Sequence, residues 1–420
     1  METLRYLDLF AGAGGLSEGF MRAGLLPVAH IEIDEAACYT LKTRLAYKWL
    51  RNNNIDNIYD RYLEGKIKRN EFYAQIPNEV LGTVLNCEIS WNNLEEIFKN
   101  VDGLLMGNKL NLIVGGPPCQ AYSLVGRARD KNGMIGDKRN YLYTLYAEFL
   151  KRYQPQYFVF ENVMGLLSAR DKDEILHFEK MQKLFKECGY SIEYKVLNAK
   201  DYGVLQNRKR VILIGKKGNH NNFYPKVPDV KHHYLVEEIF LDLPFLNAGN
   251  GTARPISTLQ YDGRYLYEAK IKRENLEKTT FHCSRTNKSQ DLAIYKKAVH
   301  LWNKNQTRLS YAELTTDLQS QNNILSFLDR FKLVADNLPY SQTVVAHIAK
   351  DGNYFIHPDI EQNRSLTPRE AARLQTFPDD YYFESISGAP SKTAAFKQIG
   401  NAVPVLLAEK IANALLEVWE

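Results

Sequence analysis

Residues 6–16 read YLDLFAGAGGL, an apolar run that ends in a glycine-rich turn. Such a run is typical of a buried strand, and the glycines let the backbone of the turn approach a neighbour or a ligand closely before a helix begins. Glycine turns after strands also serve tight packing alone. The stretch therefore predicts a strand–turn–helix unit and leaves open whether the turn binds a ligand.

Four further short apolar runs follow, at residues 28–31, 110–114, 157–160 and 211–214. We expect them to be buried parallel strands, with helical periodicity between several of them, as in residues 141–152. This alternation predicts an α/β fold with a doubly wound, Rossmann-like sheet. Ligands of such sheets bind beyond the carboxyl ends of the strands, so the residues after each run are the candidates for a site.

Residues 216–363 interrupt this alternation and contain one strong amphipathic stretch, residues 292–302. We interpret them as a smaller inserted domain between a first domain, residues 1–215, and a returning part, residues 364–420. Thr367, Pro368 and Glu370 have the signature of a helix start, and a last helix is expected to begin near Asn401. The polar stretch of residues 45–85 is expected to be a surface elaboration.

The composition restricts the location of the protein and the kind of site it holds. The chain has 420 residues, of which 45% are hydrophobic, and a formal charge of +5, which is compatible with a polyanionic partner. Its five cysteines are odd in number and never spaced as C-x-x-C, which argues against disulfides and against a metal site. The sequence predicts no membrane span and no signal peptide, so we expect a cytoplasmic protein without a membrane partner.

An acidic residue follows the second apolar run. Glu32 lies 20 residues after Gly12, the spacing at which a carboxylate can accept hydrogen bonds from both ribose hydroxyls of a nucleoside. The turn lacks the full G-x-G-x-x-G register that binds a pyrophosphate. The pattern therefore favours S-adenosylmethionine, which carries no phosphate, over a nicotinamide dinucleotide.

The third run is followed by GGPPCQAYS, residues 115–123. Its prolines stiffen the loop that carries Cys119, and a thiol becomes a nucleophile where positive charge or a helix N-terminus favours the thiolate. The next run ends at Glu161, a candidate acid. Arg208 and Arg210 precede the last run, where guanidinium groups can meet a phosphate or a base oxygen. The other four cysteines are expected to be small buried hydrophobes.

In this order, the motifs resemble those of the C5-cytosine DNA methyltransferases, outside residues 45–85 and 216–363. The resemblance implies S-adenosylmethionine as methyl donor and S-adenosylhomocysteine as product. It implies a cofactor site with Phe10 facing the adenine and Glu32 on the ribose. The further cofactor-binding residues it implies are Gly12, Gly14, Gly15, Leu16, Ile33, Glu88, Ile89, Pro117, Leu142, Asn401, Ala402 and Val403. Glu88 stands where the family more often has aspartate.

The same resemblance implies Cys119 as the nucleophile and Glu161, Arg208 and Arg210 as the other catalytic residues. The substrate-binding residues it implies are Gln120, Ser123, Asn162, Val163 and Gln206. Residues 216–363 occupy the place of the target-recognition region. The implied partner is double-stranded DNA, bound by a monomer. A cognate restriction endonuclease in the same system, without a stable complex, is expected in a prokaryotic or phage-infected host.

The chemistry of cytosine explains why a thiol is needed. C5 belongs to an electron-poor ring, and addition of a thiolate at C6 gives it the character of an enamine. We expect Glu161 at ring N3 and Arg208 at the O2 side, with the cytosine flipped out of the duplex.

Three alternatives stay open at the level of sequence. An RNA cytosine methyltransferase shares the catalytic motifs, but the large inserted domain disfavours it. A DNA-binding regulator without activity is disfavoured by the intact Cys119, Glu161 and Arg208. An NAD-linked dehydrogenase leaves the loop around Cys119 without a role.

Overall fold

A seven-stranded sheet organises the molecule in the computed structural model, which describes residues 3–55, 57–118, 141–274, 277–319 and 324–419. Its strands are β1 (Arg5–Leu9), β2 (Leu26–Glu32), β3 (Val84–Asn86), β4 (Leu112–Gly115), β5 (Tyr157–Asn162), β6 (Tyr190–Asn198) and β7 (Lys209–Lys217). Their spatial order is β3-β2-β1-β4-β5-β7-β6. Strands β2, β1, β4 and β5 are parallel, so their carboxyl ends lie at one edge. The predicted α/β fold class is confirmed.

Strand β7 corrects the sequence-based expectation, because it runs antiparallel to both of its neighbours, β5 and β6. The prediction of a parallel strand at residues 211–214 is therefore wrong in direction, since burial indicates a strand but not which way it runs. The sequence pattern also missed β6. This strand lies at the edge of the sheet and exposes part of one face, including Tyr194, so it lacks a continuous apolar run.

Helices cover both faces of the sheet. The face that carries Tyr6 packs against α1 (Gly15–Arg22), α2 (Glu35–Asn52), α12 (Lys392–Asn401) and α13 (Val405–Glu417). The face that carries Leu7 packs against α6 (Leu94–Leu105), α7 (Leu142–Tyr153) and α8 (His177–Glu187). Two hydrophobic cores therefore enclose the sheet, as a doubly wound fold requires.

The predicted helix boundaries near the C-terminus are partly right. Helix α11 (Pro368–Leu374) begins with the expected capping box, in which the Thr367 hydroxyl accepts a hydrogen bond from Glu370 N. The expectation of a last helix from Asn401 is wrong. Asn401 ends α12, and α13 begins at Val405, because Pro404 keeps the preceding residue out of the helical conformation.

The inserted region shares part of the main core. Its short elements are β8 (Gly251–Thr252), β9 (Ile256–Ser257), α9 (Tyr265–Glu268), β10 (Lys278–Thr279) and β11 (His282–Cys283). Val236, Tyr265 and Phe281 belong to the core on the α13 side. A separate core forms around α10 (Ser289–Asn305), the helix predicted at residues 292–302, and extends to Ile360.

The polar stretch of residues 45–85 is not a surface elaboration, so this expectation is wrong. It contains the C-terminal part of α2, from Leu45 to Asn52, followed by α3 (Asn57–Leu63), α4 (Arg69–Tyr73) and α5 (Asn78–Leu81). Tyr59, Tyr62 and Phe72 belong to the main core, and the rings of Tyr62 and Phe72 stack with their centroids 4.7 Å apart. Polar residues outnumber these buried aromatic residues in the stretch, so the sequence pattern does not show that it packs into the core.

Within the described residues, one stretch, 392–417, is long and apolar enough to cross a membrane. It consists of α12 and α13, separated by the turn at residues 402–404, and 72% of its most apolar window is buried inside the protein. Its apolar residues belong to the main core, which accounts for its composition.

Candidate active site

The glycine turn after β1 presents an open backbone. Phe10, Gly12 and Gly14 have positive φ angles of 58°, 54° and 79°, so the chain reverses sharply before α1. A Cβ at Gly12 would meet no described atom within 4 Å, whereas a Cβ at Gly15 would overlap Val403 O. One side of the turn is therefore closed by the C-terminal residues, and the side at Gly12 has room for a ligand.

Glu32 lies directly against this turn, at the end of β2. Its Oε2 accepts a hydrogen bond from Gly12 N at 2.7 Å, and its Oε1 accepts one from Asp34 N at 2.8 Å. Burial raises the pKa of the carboxyl group although these bonds oppose the shift. Each carboxylate oxygen can accept a second hydrogen bond, which is what a ribose diol would offer. Ile33, next in sequence, exposes 59% of its surface beside this carboxylate.

Asp8 is a candidate that the sequence analysis missed. It lies in the middle of the apolar strand β1 and is 1% exposed, and neither carboxylate oxygen has a hydrogen-bond partner among the described residues. Burial raises its pKa well above the usual value, and the nearby Glu32 raises it further. An unpartnered buried carboxylate is costly, and a ligand with positive charge would relieve that cost. S-adenosylmethionine carries a sulfonium and an ammonium group, so this pair of acids fits it.

The remaining predicted cofactor residues fall into two groups. Leu16 and Ile89 are buried in the two cores, and Ala402 and Val403 are buried against the glycine turn. The others lie at element ends or in loops: Glu88 and Asn401 are exposed, Leu142 begins α7, and Pro117 follows β4. Of the predicted cofactor residues, Gly15 and Val403 are in contact although they are 388 positions apart in the sequence.

Cys119, Gln120 and Ser123 lie outside the described residues. The loop that leads to them begins at Gly115 and Gly116, between β1 and β5. A Cβ at Gly116 would lie 2.6 Å from Glu161 Oε2, so the carboxylate packs directly on this loop. Asn162 Nδ2 also donates to Pro117 O at 3.3 Å, and Asn162 Oδ1 accepts from Val163 N at 2.9 Å.

Glu161 forms an ion pair with Arg210. The distance from Arg210 Nε to Glu161 Oε1 is 2.7 Å, and the side chains are 12% and 15% exposed. The pair is thus partly desolvated yet reachable at the carboxyl edge of β5, beside the loop toward Cys119. At such a pair, the carboxylate can accept hydrogen bonds from a planar base and the guanidinium can donate hydrogen bonds to it.

Arg208 occupies a different environment from the one we expected. It is 1% exposed, and its guanidinium donates to Val344 O at 2.5 Å, to Ala402 O at 2.8 Å and to Gly400 O at 3.2 Å. The arginine beside Glu161 is therefore Arg210. The sequence cannot separate the two, since they are chemically identical and two residues apart.

Of the four cysteines expected to be buried, Cys38, Cys188 and Cys283 are buried and Cys87 is half-buried. Burial raises the pKa of Cys38 to about 12 and of Cys283 to about 11, and it also raises the pKa of Cys87 and Cys188. A thiol with a raised pKa holds its proton at neutral pH and is a poor nucleophile.

Replacing Asp8 by asparagine tests whether this carboxyl group is strained in the ligand-free protein. Its raised pKa means that the folded state holds a proton above the pKa of about 3.9 in an unfolded chain, so the free energy of unfolding falls as pH rises past that value. The Asp8→Asn variant cannot bind this proton, so its free energy of unfolding does not fall for this reason. Relative to the unmodified protein, the variant should therefore become more stable as pH rises from about 4 to neutral pH.

Urea unfolding across that pH range measures the difference. Asp102→Asn is the matched control, because it removes a carboxylate that is 40% exposed and paired with Arg152 at the surface. If the stability difference between Asp8→Asn and the unmodified protein does not change with pH, Asp8 is not a strained carboxyl group.

Comparison with known proteins agrees with this geometry. Residues 4–74 and 86–417 match the family model described as C-5 cytosine-specific DNA methylase. Type II methyltransferase M.Bpa9945I of Bacillus paralicheniformis is 36% identical over 98% of both chains, and Type II methyltransferase M.DdeI of Desulfomicrobium norvegicum is 29% identical over 99% of this chain and 89% of its own.

A solved structure supports the fold independently. An E. coli prophage protein described as a DNA modification methyltransferase superimposes with a TM-score of 0.63 at 23% identity, over 99% of both chains. The family match sets aside the dehydrogenase alternative. The chain belongs to the C-5 cytosine-specific DNA methylases and is an S-adenosylmethionine-dependent DNA cytosine methyltransferase.

Proposed function

We propose that the protein methylates C5 of a cytosine flipped out of duplex DNA, through a covalent bond between Cys119 and C6. The observation that carries the proposal is the Glu161–Arg210 pair, which packs on the loop toward Cys119 at the carboxyl edge of the sheet. The glycine turn with Glu32 and Asp8 lies at the same edge, two strands away. A base and a cofactor bound at these positions would meet above β4.

The cofactor would be held by both side chains and backbone. Glu32 would accept hydrogen bonds from the ribose, Asp8 would face the positive charge, and Phe10 and Ile33 would flank the adenine. The backbone at Gly12, Gly14 and Gly15 and the turn at Asn401, Ala402 and Val403 would enclose it. The remaining contacts would come from Leu16, Glu88, Ile89, Pro117 and Leu142. When bound, S-adenosylmethionine supplies the methyl group that C5 receives.

The chain's own residues would activate the base. The Cys119 thiolate adds to C6, and the electron pair of the C5–C6 double bond moves toward C5 and the ring carbonyl. Glu161, sharing a proton with ring N3, draws charge from the ring, and Arg210 stabilises charge at O2. After C5 is methylated, a base removes the C5 proton, the C5–C6 double bond re-forms, and the thiolate leaves.

The geometry supports Arg210, and not Arg208, at O2. Arg210 lies 2.7 Å from the carboxylate proposed to bind N3, which is the ring atom next to the C2 carbonyl. The Arg208 guanidinium instead donates to backbone carbonyls at 2.5–3.2 Å and is 1% exposed. Gln120, Ser123, Asn162 and Val163 would shape the rest of the base pocket.

The biological role proposed is protection of host DNA from a cognate restriction endonuclease. This role is supported by the relatives M.Bpa9945I and M.DdeI, which are named type II methyltransferases. Protection requires only that the same sequence be methylated, so no stable complex with the nuclease is needed. The protein would act as a monomer on DNA in the cytoplasm of a prokaryotic or phage-infected cell, with residues 216–363 reading the target sequence.

Bisulfite sequencing of DNA from a host that expresses the chain tests the proposed function. We expect 5-methylcytosine at one recurrent short sequence, and none of it in a host expressing Cys119→Ala, which removes the nucleophile. Labelled methyl transfer to transfer RNA but not to duplex DNA, measured side by side with purified protein, would contradict the proposal.

The role of Glu161 is tested by its conversion to glutamine. Glu161→Gln keeps the shape of the side chain but loses the proton that is shared with N3, so kcat should fall by roughly 100-fold or more. The dissociation constant for duplex DNA should change by less than about threefold, since the amide still hydrogen-bonds the base. Single-turnover kinetics and fluorescence anisotropy give the two numbers. A loss confined to DNA affinity would show that Glu161 only binds.

A further inference from the structure

A set of hydrogen bonds, called the junction below, joins the loop before β7 to the end of the inserted region. Ser341 N donates to Leu205 O at 3.0 Å, and Asn207 N donates to Ser341 O at 2.9 Å. The Thr343 hydroxyl adds a bond of 2.6 Å to Asn207 O. The chain that returns from the inserted region is thereby fixed to the loop that leads to Arg208 and Arg210.

Gln206 extends this junction inward. It is 0% exposed, its Oε1 accepts from Val344 N at 2.9 Å, and its Nε2 donates to Leu374 O at 2.8 Å and to Gln375 Oε1 at 2.9 Å. Gln375 Nε2 in turn donates to Ala402 O at 3.0 Å. Because the oxygen and the nitrogen of this amide both bind protein groups, the side chain of Gln206 positions the backbone at Val344 and Leu374.

Arg208 connects the inserted region directly with the C-terminal residues around Ala402. One terminal nitrogen donates to Val344 O, in the inserted region. The other donates to Gly400 O, in the last turn of α12, and to Ala402 O, in the turn between α12 and α13. Hydrogen bonds from a charged donor are stronger than neutral ones, and burial keeps water from competing for them. One guanidinium therefore holds the inserted region and this turn at a fixed spacing.

Both ends of the junction lead to the active site. Val403 O packs on Gly15 of the glycine turn, directly after the carbonyl that Arg208 holds. Two residues after Arg208 in the chain, Arg210 pairs with Glu161. A change of spacing at Arg208 would therefore disturb cofactor binding and DNA binding together.

We propose that Arg208 is a positioning residue, which keeps the inserted region and the turn between α12 and α13 at a fixed distance from each other. It touches neither the cytosine nor the cofactor. This role rests on the methyltransferase function proposed above. It differs from charge stabilisation at O2, because a positioning residue affects the assembly of the complex more than the chemical step within it.

Arg208→Lys tests the proposal. Lysine keeps the charge, but its single ammonium group cannot bridge two sets of carbonyls as the planar guanidinium does. The dissociation constants for S-adenosylhomocysteine and for a duplex carrying the site mapped by bisulfite sequencing should both rise by about tenfold. The value of kcat at saturating substrates should fall by less than about threefold. Isothermal titration calorimetry, fluorescence anisotropy and steady-state kinetics measure the three quantities.

Arg369→Lys is the matched control. Arg369 is 0% exposed and also donates to backbone carbonyls, those of Thr280, Pro378 and Tyr381, but it contacts neither Val344 nor Ala402. Its substitution should lower thermal stability and leave both dissociation constants within about twofold of the original values. Loss of kcat at unchanged affinities in Arg208→Lys would overturn the proposal, and so would equal weakening by Arg369→Lys.

A second variant keeps the test valid if Arg208→Lys does not fold. Thr343→Val removes only the exposed hydroxyl bond to Asn207 O in the same junction. It should weaken both affinities by about threefold, and unchanged affinities would overturn the proposal. Failure of the unmodified protein to methylate any DNA would instead count against the proposed function, so the two failures are distinguishable.

Discussion

The close approach of β4 to both of its neighbours is the constraint on which the active site depends. A Cβ at Gly115 would overlap Leu9 O, and a Cβ at Gly116 would lie 2.6 Å from Glu161 Oε2. Only glycine lets the loop toward Cys119 pass between the glycine turn on one side and the acid on the other. The order β2-β1-β4-β5 then places the proposed cofactor site, nucleophile loop and base site side by side at one edge.

Buried polar groups also fix how the inserted region meets the C-terminal part of the chain. Arg373 is 0% exposed and pairs with Asp242, from the inserted region, and with Asp379, from the C-terminal part. A buried charge network adds little net stability, but a displacement of either carboxylate would leave an unpaired charge. Such a network selects one arrangement of the two parts. The Arg208 junction imposes the same kind of requirement near the active site.

Much of the fold follows from the sequence, because buried parallel strands leave continuous apolar runs and ligand sites follow their carboxyl ends. The direction of β7 does not follow, since burial is the same for either direction. Asp8 was missed because a single carboxylate inside an apolar run gives no periodic signal. Only the packing shows that, within the part of the chain the structure describes, its oxygens have no hydrogen-bond partner. The separate environments of Arg208 and Arg210 depend on distant contacts, since Arg208 binds carbonyls more than 100 positions away and Arg210 pairs with Glu161, 49 positions away. Local spacing cannot reveal such contacts.

The central claim is that the Cys119 sulfur bonds C6 of an extruded cytosine while the methyl donor is bound. A duplex in which the target cytosine carries fluorine at C5 tests it most directly, because the fluorine cannot leave as a proton does and the adduct is trapped. We expect a denaturant-resistant complex, with the nucleotide attached to the peptide that contains Cys119. If no such complex forms under conditions that support turnover, or if the nucleotide is attached to another residue, Cys119 is not the nucleophile.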